Sequence, residues 1–365
     1  MRGRRVRSWM FVAAAAAALA VEAPAWAQVK PDSADIATQD IKIRARPIAR
    51  FPKGAAAPAM SPRLEWRGGL ELASFSTDFG GWSGLVLDRE GKSLVAVSDS
   101  GIWLTGELTY DGTRPSGIAS ARIGALRTLN GGALTRNRDR DAEAIALASG
   151  TPTKGEVYIG FERNSRIGVF EIGEDGLGAP ASYLTMPQEA RRMRNEGIEA
   201  LTVLAGGRHK GALVAFAENP LRGEKLHRGW MWISGKPQPF SVAGVDGFGI
   251  TDAASLADGS VLIVERRFRW LEGLRLRLRL LGAESIKPGG TATGEILLEA
   301  NNANAEIDNL EALALSQGED GEVVLTLMSD DNFNRFLQRT VLLQFTLKDE
   351  PAAEASADAT RNAKK

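Results

Sequence analysis

The chain has 365 residues, 44% of them apolar and 25% charged, an ordinary globular composition. Lys plus Arg and Asp plus Glu total 45 each, so net charge gives no argument for nucleic acid or a membrane surface as partner. There is no Cys, and the two His, His209 and His227, have no ligand spacing; disulfides are excluded and zinc or copper lacks a ligand set.

In chain order, the first segment is a targeting signal. Arg2, Arg4, Arg5 and Arg7 precede a short apolar run, and Ala25-Trp26-Ala27 is an A-x-A cleavage site. Residues 1–27 therefore read as a signal peptide cut after Ala27. The run is too short for a comfortable transmembrane span. Arg4-Arg5 leaves both Sec and Tat export open, because the pair lacks the usual Phe-Leu. A periplasmic or secreted monomer is expected, free of the membrane after cleavage. Its loss of four Arg and one Glu leaves the mature chain slightly acidic. Residues 28–62 read as a largely irregular leader, and 349–365 (DEPAAEASADATRNAKK) as a disordered tail.

Between them, 63–348 consists of short β-runs and Gly/Asp/Asn turns. The best short-helix candidate is PQEARRMRN near 187. One phrase recurs: GWSGLVLDREG with Ser83, DAEAIALASG with Glu143, NEGIEALTVLAGG with Glu199, GITDAASLADG with Asp252, and DNLEALALSQG with Glu311. Each is followed by a second strand ending in another polar cluster. These hold Asp99, Glu162-Arg163, Glu218-Asn219, Glu265-Arg266 and Asp330-Asp331-Asn332. Glu143 to Glu162, Glu199 to Glu218 and Glu311 to Asp330 are each nineteen residues apart. In an antiparallel hairpin the start of one strand lies beside the end of the next, so each unit carries both polar groups at one end.

The unit starts lie 60, 56, 53 and 59 residues apart, which suits four-stranded propeller blades with long loops. The small residues Gly84, Ala144, Ala200, Ala253 and Ala312 fit innermost strands that converge on a channel. The predicted fold is an all-β propeller of five countable blades, with a sixth possible. RLEWRGGLELASF, ahead of the first unit, supplies the missing outer strand of the last. Stacked β-sandwiches are the alternative, but they do not require one polar position to recur.

In such a ring the polar pairs meet at one mouth. Converging carboxylates repel and raise one another's pKa unless a cation intervenes. A hard, oxygen-ligated ion such as Ca²⁺ is one neutraliser, with Glu143, Glu199, Glu311 and Asp330 as candidate ligands. Arginine is the other: Arg163, Arg166, Arg266, Arg267 and Arg269 follow two of the acidic positions and match carboxylate or phosphate bidentately. Candidate catalytic residues are Glu143, Glu199, Arg163 and Arg266. Candidate ligand-binding residues are Ser83, Asp99, Glu162, Glu218, Asp252, Glu265, Asp331 and Asn332. No organic cofactor is called for. GGWSGL is no nucleophile elbow, since Leu85 stands where G-x-S-x-G needs glycine. Trp82, Trp103, Trp230, Trp232 and Trp270 read mainly as packing.

FGGWSGLVLDREGKSLVAVSDSG, DAEAIAL, VYIGFERNSRI, NEGIEALTVL, GFGITDAASLADGSVLIVERRF, NLEALAL and LMSDDNFN together resemble the phytase-like domain, esterase-like activity of phytase. The likeness runs in order over about 70–347. It implies a propeller related to Ca²⁺-dependent phytases that hydrolyse phosphate monoesters, with a small anionic substrate, but gives no residue-level catalytic assignment. The expected function is that of an exported, cation-dependent phosphoesterase. A non-catalytic binding propeller and a lactonase or carboxylesterase are the alternatives.

Overall fold

The computed structural model describes residues 36–54, 56–190, 197–244 and 246–348. The expected signal peptide, the expected C-terminal tail and most of the expected helix near 187 lie outside the described residues.

Five sheets form the body, antiparallel throughout except where Thr291–Ala292 adds a parallel edge to Lys236–Val242. From the inside outward, blade 1 is Trp82–Leu87, Ser93–Ser98, Ile102–Asp111 and Arg114–Ala125. Blade 2 is Ala142–Thr151, Lys154–Phe161, Arg166–Gly173 and Gly176–Tyr183. Blade 3 is Ile198–Val203, Leu213–Ala217, His227–Ile233 and Lys236–Val242. Blade 4 is Gly249–Ser255, Val261–Arg269, Gly273–Leu281 and Gly294–Asn301. Blade 5 takes Leu310–Gln317, Val323–Ser329 and Thr340–Leu347 from the end of the chain, and Leu64–Ser74 from its beginning. The expected latch is thus the strand that joins the two ends. The innermost strands touch in cyclic order, the fifth against the first, so the ring closes at five.

Many strands, such as Leu213–Ala217 and Thr340–Leu347, are buried on both faces because each face of a blade packs against a different neighbour. Five hydrophobic clusters result, one at each interface between blades. Leu70, Met328 and Leu342 of blade 5 pack on Trp82, Leu85 and Leu104 of blade 1. Phe161 and Phe170 meet Val95 and Trp103, and Phe216 and Phe240 meet Ile250 and Ile263. Trp82, Trp103, Trp230 and Trp232 are buried, whereas Trp270 is 88% exposed.

Residues 36–62 are more ordered than their composition suggests. Gln39–Asp40, Ile43–Ile48 and Ala59–Met60 extend blades 1, 5 and 4 respectively, and Phe51 is fully buried against Phe345. These two- and six-residue strands carry too little period-2 signal to stand out from a Pro- and Ala-rich background. They add backbone pairing to sheet edges that would otherwise be open.

The channel has two unlike ends. The later halves of the inner strands, with Leu87, Leu147, Val203 and Leu315, line a cavity of about 200 Å³ that holds no charged side chain. The strand starts carry the polar residues.

Candidate functional site

Every innermost strand has a β-bulge at its entry. The register slips between Trp82 and Gly84, Ala142 and Ala144, Ile198 and Ala200, Ile250 and Asp252, and Leu310 and Ala312. A bulge re-aims the extra side chain, and the residues so placed are Ser83, Glu143, Glu199, Thr251 and Glu311. The register also fixes the partner strand. Ser98, Phe161, Ala217, Glu265 and Ser329 pair with the residue before the bulge. The next residue along is therefore Asp99, Glu162, Glu218, Arg266 and Asp330. These two sets of five form an inner and an outer ring at the mouth.

Blade 4 departs from the sequence expectation by one residue on both strands. Thr251, not Asp252, holds the inner position, and Arg266, not Glu265, the outer one. A one-residue slip turns a side chain to the opposite face, and both acids are engaged there. The Asp252 carboxylate accepts from the backbone N–H of Ala253 at 2.8 Å and of Leu313, in blade 5, at 2.6 Å. Burial pushes its pKa well up, against the pull of those two bonds. Glu265 forms a buried bidentate pair with Arg279, at 2.6 and 3.1 Å. Arg277 of the same strand bonds Glu299. The alternating arginines of LRLRLRLL are therefore consumed inside the sheet.

The remaining carboxylates crowd together. Burial and then the charges of Asp99, Asp141, Glu311 and Glu162 hold Glu143 well above the usual carboxylate range. Burial, Glu143, Glu218, Glu162 and Glu311 do the same to Glu199. Asp330 is raised by burial, Glu311 and Asp99. Glu162 is pushed up to about 7 by burial and by Asp141, with Arg163 opposing. Glu311 is raised less firmly, because Arg266 opposes its burial.

Arg266 is the cation built into this ring. Its guanidinium lies 3.1 Å from Glu311 and 3.5 Å from Glu218, and it donates to Asn309 Oδ1 at 2.5 Å. Burial works against its charge, but Glu311, Glu218, Glu199 and Asp330 outweigh that and raise its pKa. Arg163 sits further out, with Nε 2.9 Å from Asp141.

Asp331 works on the backbone. Its Oδ1 accepts from Gly81 N–H at 3.0 Å and Phe333 N–H at 3.1 Å. The glycine pair of FGGWSG is explained by this approach. A Cβ on Gly81 would lie 2.6 Å from Asp99 Oδ1, and one on Gly80 would lie 2.5 Å from Asp331 Oδ1. Ser83 is buried and donates to the Gly81 carbonyl at 3.3 Å. Asn332 adopts a left-handed backbone, with φ 48°, and its N–H donates to Asp330.

Asp141, Glu143 and Glu162 each offer an oxygen within 4.8 Å of the other two. Of the four ligands expected from sequence, only Glu143 belongs to this trio; Glu199 and Glu311 are its electrostatic neighbours, and Asp330 interacts instead with Glu311 and Asp99. Asp141 was missed. Its signal was present in RDAEAIAL, where a second acid stands two residues before Glu143, but the recurrence drew attention to the glutamate alone.

The sequence profile of the phytase-like family, described as esterase-like activity of phytase, matches residues 77–333. The chain belongs to that family. The matched span begins in the loop before blade 1 and ends at Phe333, so it takes in both rings. No curated protein matches the sequence. Among solved structures, the PQQ-bound aldose sugar dehydrogenase of Streptomyces coelicolor aligns at 13% identity with a TM-score of 0.39, over 79% of this chain and 99% of that one. The Dos1 propeller aligns at 10% identity with a TM-score of 0.36, over 76% of this chain and 72% of that one.

Proposed function

We propose that this phytase-like propeller is a divalent-cation-dependent phosphoesterase acting at the ringed mouth. The observation that carries the reading is the trio Asp141, Glu143 and Glu162 within 4.8 Å of one another, next to a mouth that also holds Arg266. Three carboxylate oxygens form a hard donor set suited to Ca²⁺ or Mg²⁺. Burial and then neighbouring acidic charge raise the pKa values of Glu143 and Glu162, and a divalent charge would relieve that repulsion. A cation held there would polarise a phosphoryl oxygen.

The chain's own groups do the rest. Arg266 and Arg163 bind the non-bridging oxygens and stabilise charge that develops on them. Glu199, held well above the usual carboxylate range by burial and its acidic neighbours, supplies a proton as general acid. It delivers that proton to the leaving oxygen as the ester P–O bond breaks and water forms the new one. The basic and apolar N-terminal segment ending at Ala27 supports export to the periplasm or medium.

Metal analysis of the purified mature protein, with a phosphatase and carboxylesterase panel with and without chelator, tests this reading. Expected are a bound divalent ion, phosphate-ester turnover, and its loss with chelator or with Glu199→Gln. Turnover that survives chelator overturns cation dependence. Ligand-induced stabilisation without turnover would instead mark a binding propeller.

A further inference from the structure

Blade 4 differs from the others at the mouth. The second strands of blades 1, 2, 3 and 5 end at Ser98, Phe161, Ala217 and Ser329, one residue before the outer ring. In blade 4 the second strand runs three residues past Arg266, to Arg269, and stays paired with the strand that starts at Gly273. At about 3.3 Å per residue this two-stranded finger stands roughly 10 Å beyond the ring. The Glu272 N–H donates to the Arg269 carbonyl at 3.0 Å, a turn that puts Trp270 and Leu271 at the tip.

The finger is braced at its base. Glu272 lies 2.7, 3.0 and 3.5 Å from Arg267, Arg269 and Arg275. Arg267 also stacks on Phe248 at 4.8 Å and donates to the Asp246 carbonyl at 2.8 Å. Trp270 and Leu271 are held out in solvent, 88% and 93% exposed. Two neighbouring segments present apolar groups beside it. Phe336, 91% exposed, belongs to the 330–339 loop of blade 5, and Phe75, 82% exposed, follows the Leu64–Ser74 strand. Arg335 ties these two segments together by donating to the Ser74, Ser76 and Phe79 carbonyls. Phe268 of the finger and Leu337 of the loop line a common cavity of about 510 Å³, with Arg266 and Asp308. These are the six most exposed large apolar side chains among the described residues. Exposed apolar groups scattered singly need no explanation, but a gathering of them does.

Charge points to what covers them. Segments 75–78, 267–275 and 332–338 hold four arginines against Asp78 and Glu272, a net charge of +2 (4 − 2). The balanced total charge hides this local excess. Apolar tips backed by arginine suit the boundary of an anionic bilayer. Trp sits at headgroup level, Phe and Leu enter the acyl edge, and arginine meets lipid phosphate. A second protein chain would need a continuous complementary surface, whereas these tips stand around an open cavity. We infer that the blade 4 finger and its two neighbours form a docking surface for an anionic lipid membrane. This replaces the expectation that the mature chain is free of the membrane, and it is independent of the phosphoesterase reading.

The test uses protein beginning at Gln28, so that the apolar N-terminal run contributes nothing. Vesicles are phosphatidylcholine alone, or equal parts phosphatidylcholine and phosphatidylglycerol, and co-sedimentation measures binding. Expected is binding to the mixed vesicles that falls with added salt. It should weaken about tenfold or more in Trp270→Ser/Leu271→Ser and about fivefold in Arg269→Gln. Trp270→Phe should keep the binding but lose the blue shift of tryptophan emission that accompanies it. The tip is exposed, so melting temperatures should not change. No binding to the mixed vesicles, or binding that Trp270→Ser/Leu271→Ser leaves intact, overturns the inference. Equal binding to both vesicle types overturns the preference for anionic lipid. Self-association that the double variant abolishes, without vesicle binding, assigns the surface to a second copy and overturns the membrane.

Discussion

Replacing Arg266 with Met removes the one cation of the ten ring positions while keeping much of its aliphatic volume. At the separations seen, 3.1 Å to Glu311 and 3.5 Å to Glu218, each attraction is worth roughly 5 kcal/mol gross at an effective dielectric of about 20. Most of that offsets the desolvation of the charges. Deleting one partner of a buried pair costs about 3–5 kcal/mol, and the partial exposure of Arg266 argues for the lower end, about 3 kcal/mol at pH 8. For a domain of roughly 300 ordered residues this is a fall in melting temperature of about 5 °C. The loss should shrink with acidity. Without Arg266, the pKa of Glu311 in the folded state rises further above its unfolded value, so its favourable contribution is complete only below about 4.5 and disappears as pH climbs. At pH 5 the orphaned carboxylates take up protons, and the penalty should drop to about 1 kcal/mol. Melting curves of wild type and R266M at pH 5 and pH 8, in chelator, measure this directly. An equal loss at both values, or none at pH 8, would refute the idea that Arg266 compensates the ring's charge.

Wild-type protein without added metal should itself lose stability between about pH 4.5 and 7. Glu162 rises from 4.5 to about 7 on folding, so its share is full below 4.5 and gone above 7; a melting-temperature series in chelator reads it, and Glu162→Gln flattens it. Calcium titration should raise the melting temperature of wild type but not of an Asp141→Asn/Glu143→Gln double variant. Glu265→Ala or Arg279→Ala should each cost about 3–5 kcal/mol by denaturant titration, because the other charge is left buried; Glu265→Met with Arg279→Leu together should cost far less than the sum. Gly81→Ala should destabilise by about 2 kcal/mol or more, since φ is +68° and the new Cβ meets Asp99.

The ring of hairpins was readable because Glu at a strand start is unusual and recurred at nearly constant spacing. The latch was readable because Leu64–Ser74 precedes a first unit that is already four strands long. Blade 4 misled because GITDAAS contains one acid, and the eye aligns acid with acid. The apolar frame says otherwise: Ile250 matches Ile198 and Leu310, which puts Thr251 under the glutamates and Arg266 under Glu162 and Glu218. That shift converts an imagined uniform acidic ring into one with a positive member. The cavity of about 510 Å³ between blades 4 and 5, lined in part by Arg266, Asp308 and several amides, was not legible at all. Asn302, Asn332, Asn334 and Gln338 look like ordinary loop residues, and only the packing of two blades brings them together.

The seam of blade 5 joins Leu64–Ser74 to Thr340–Leu347, which is synthesised after the other four blades. Until residue 347 emerges, the torus is an open arc with a bare sheet edge at each end. Such long-range closure is slow, and bare edges invite pairing with other chains. Trimming the final strand by a few residues would thus do more than shorten the protein. It would leave Leu64–Ser74 with no seat, and turn a self-contained ring into something that sticks to its neighbours.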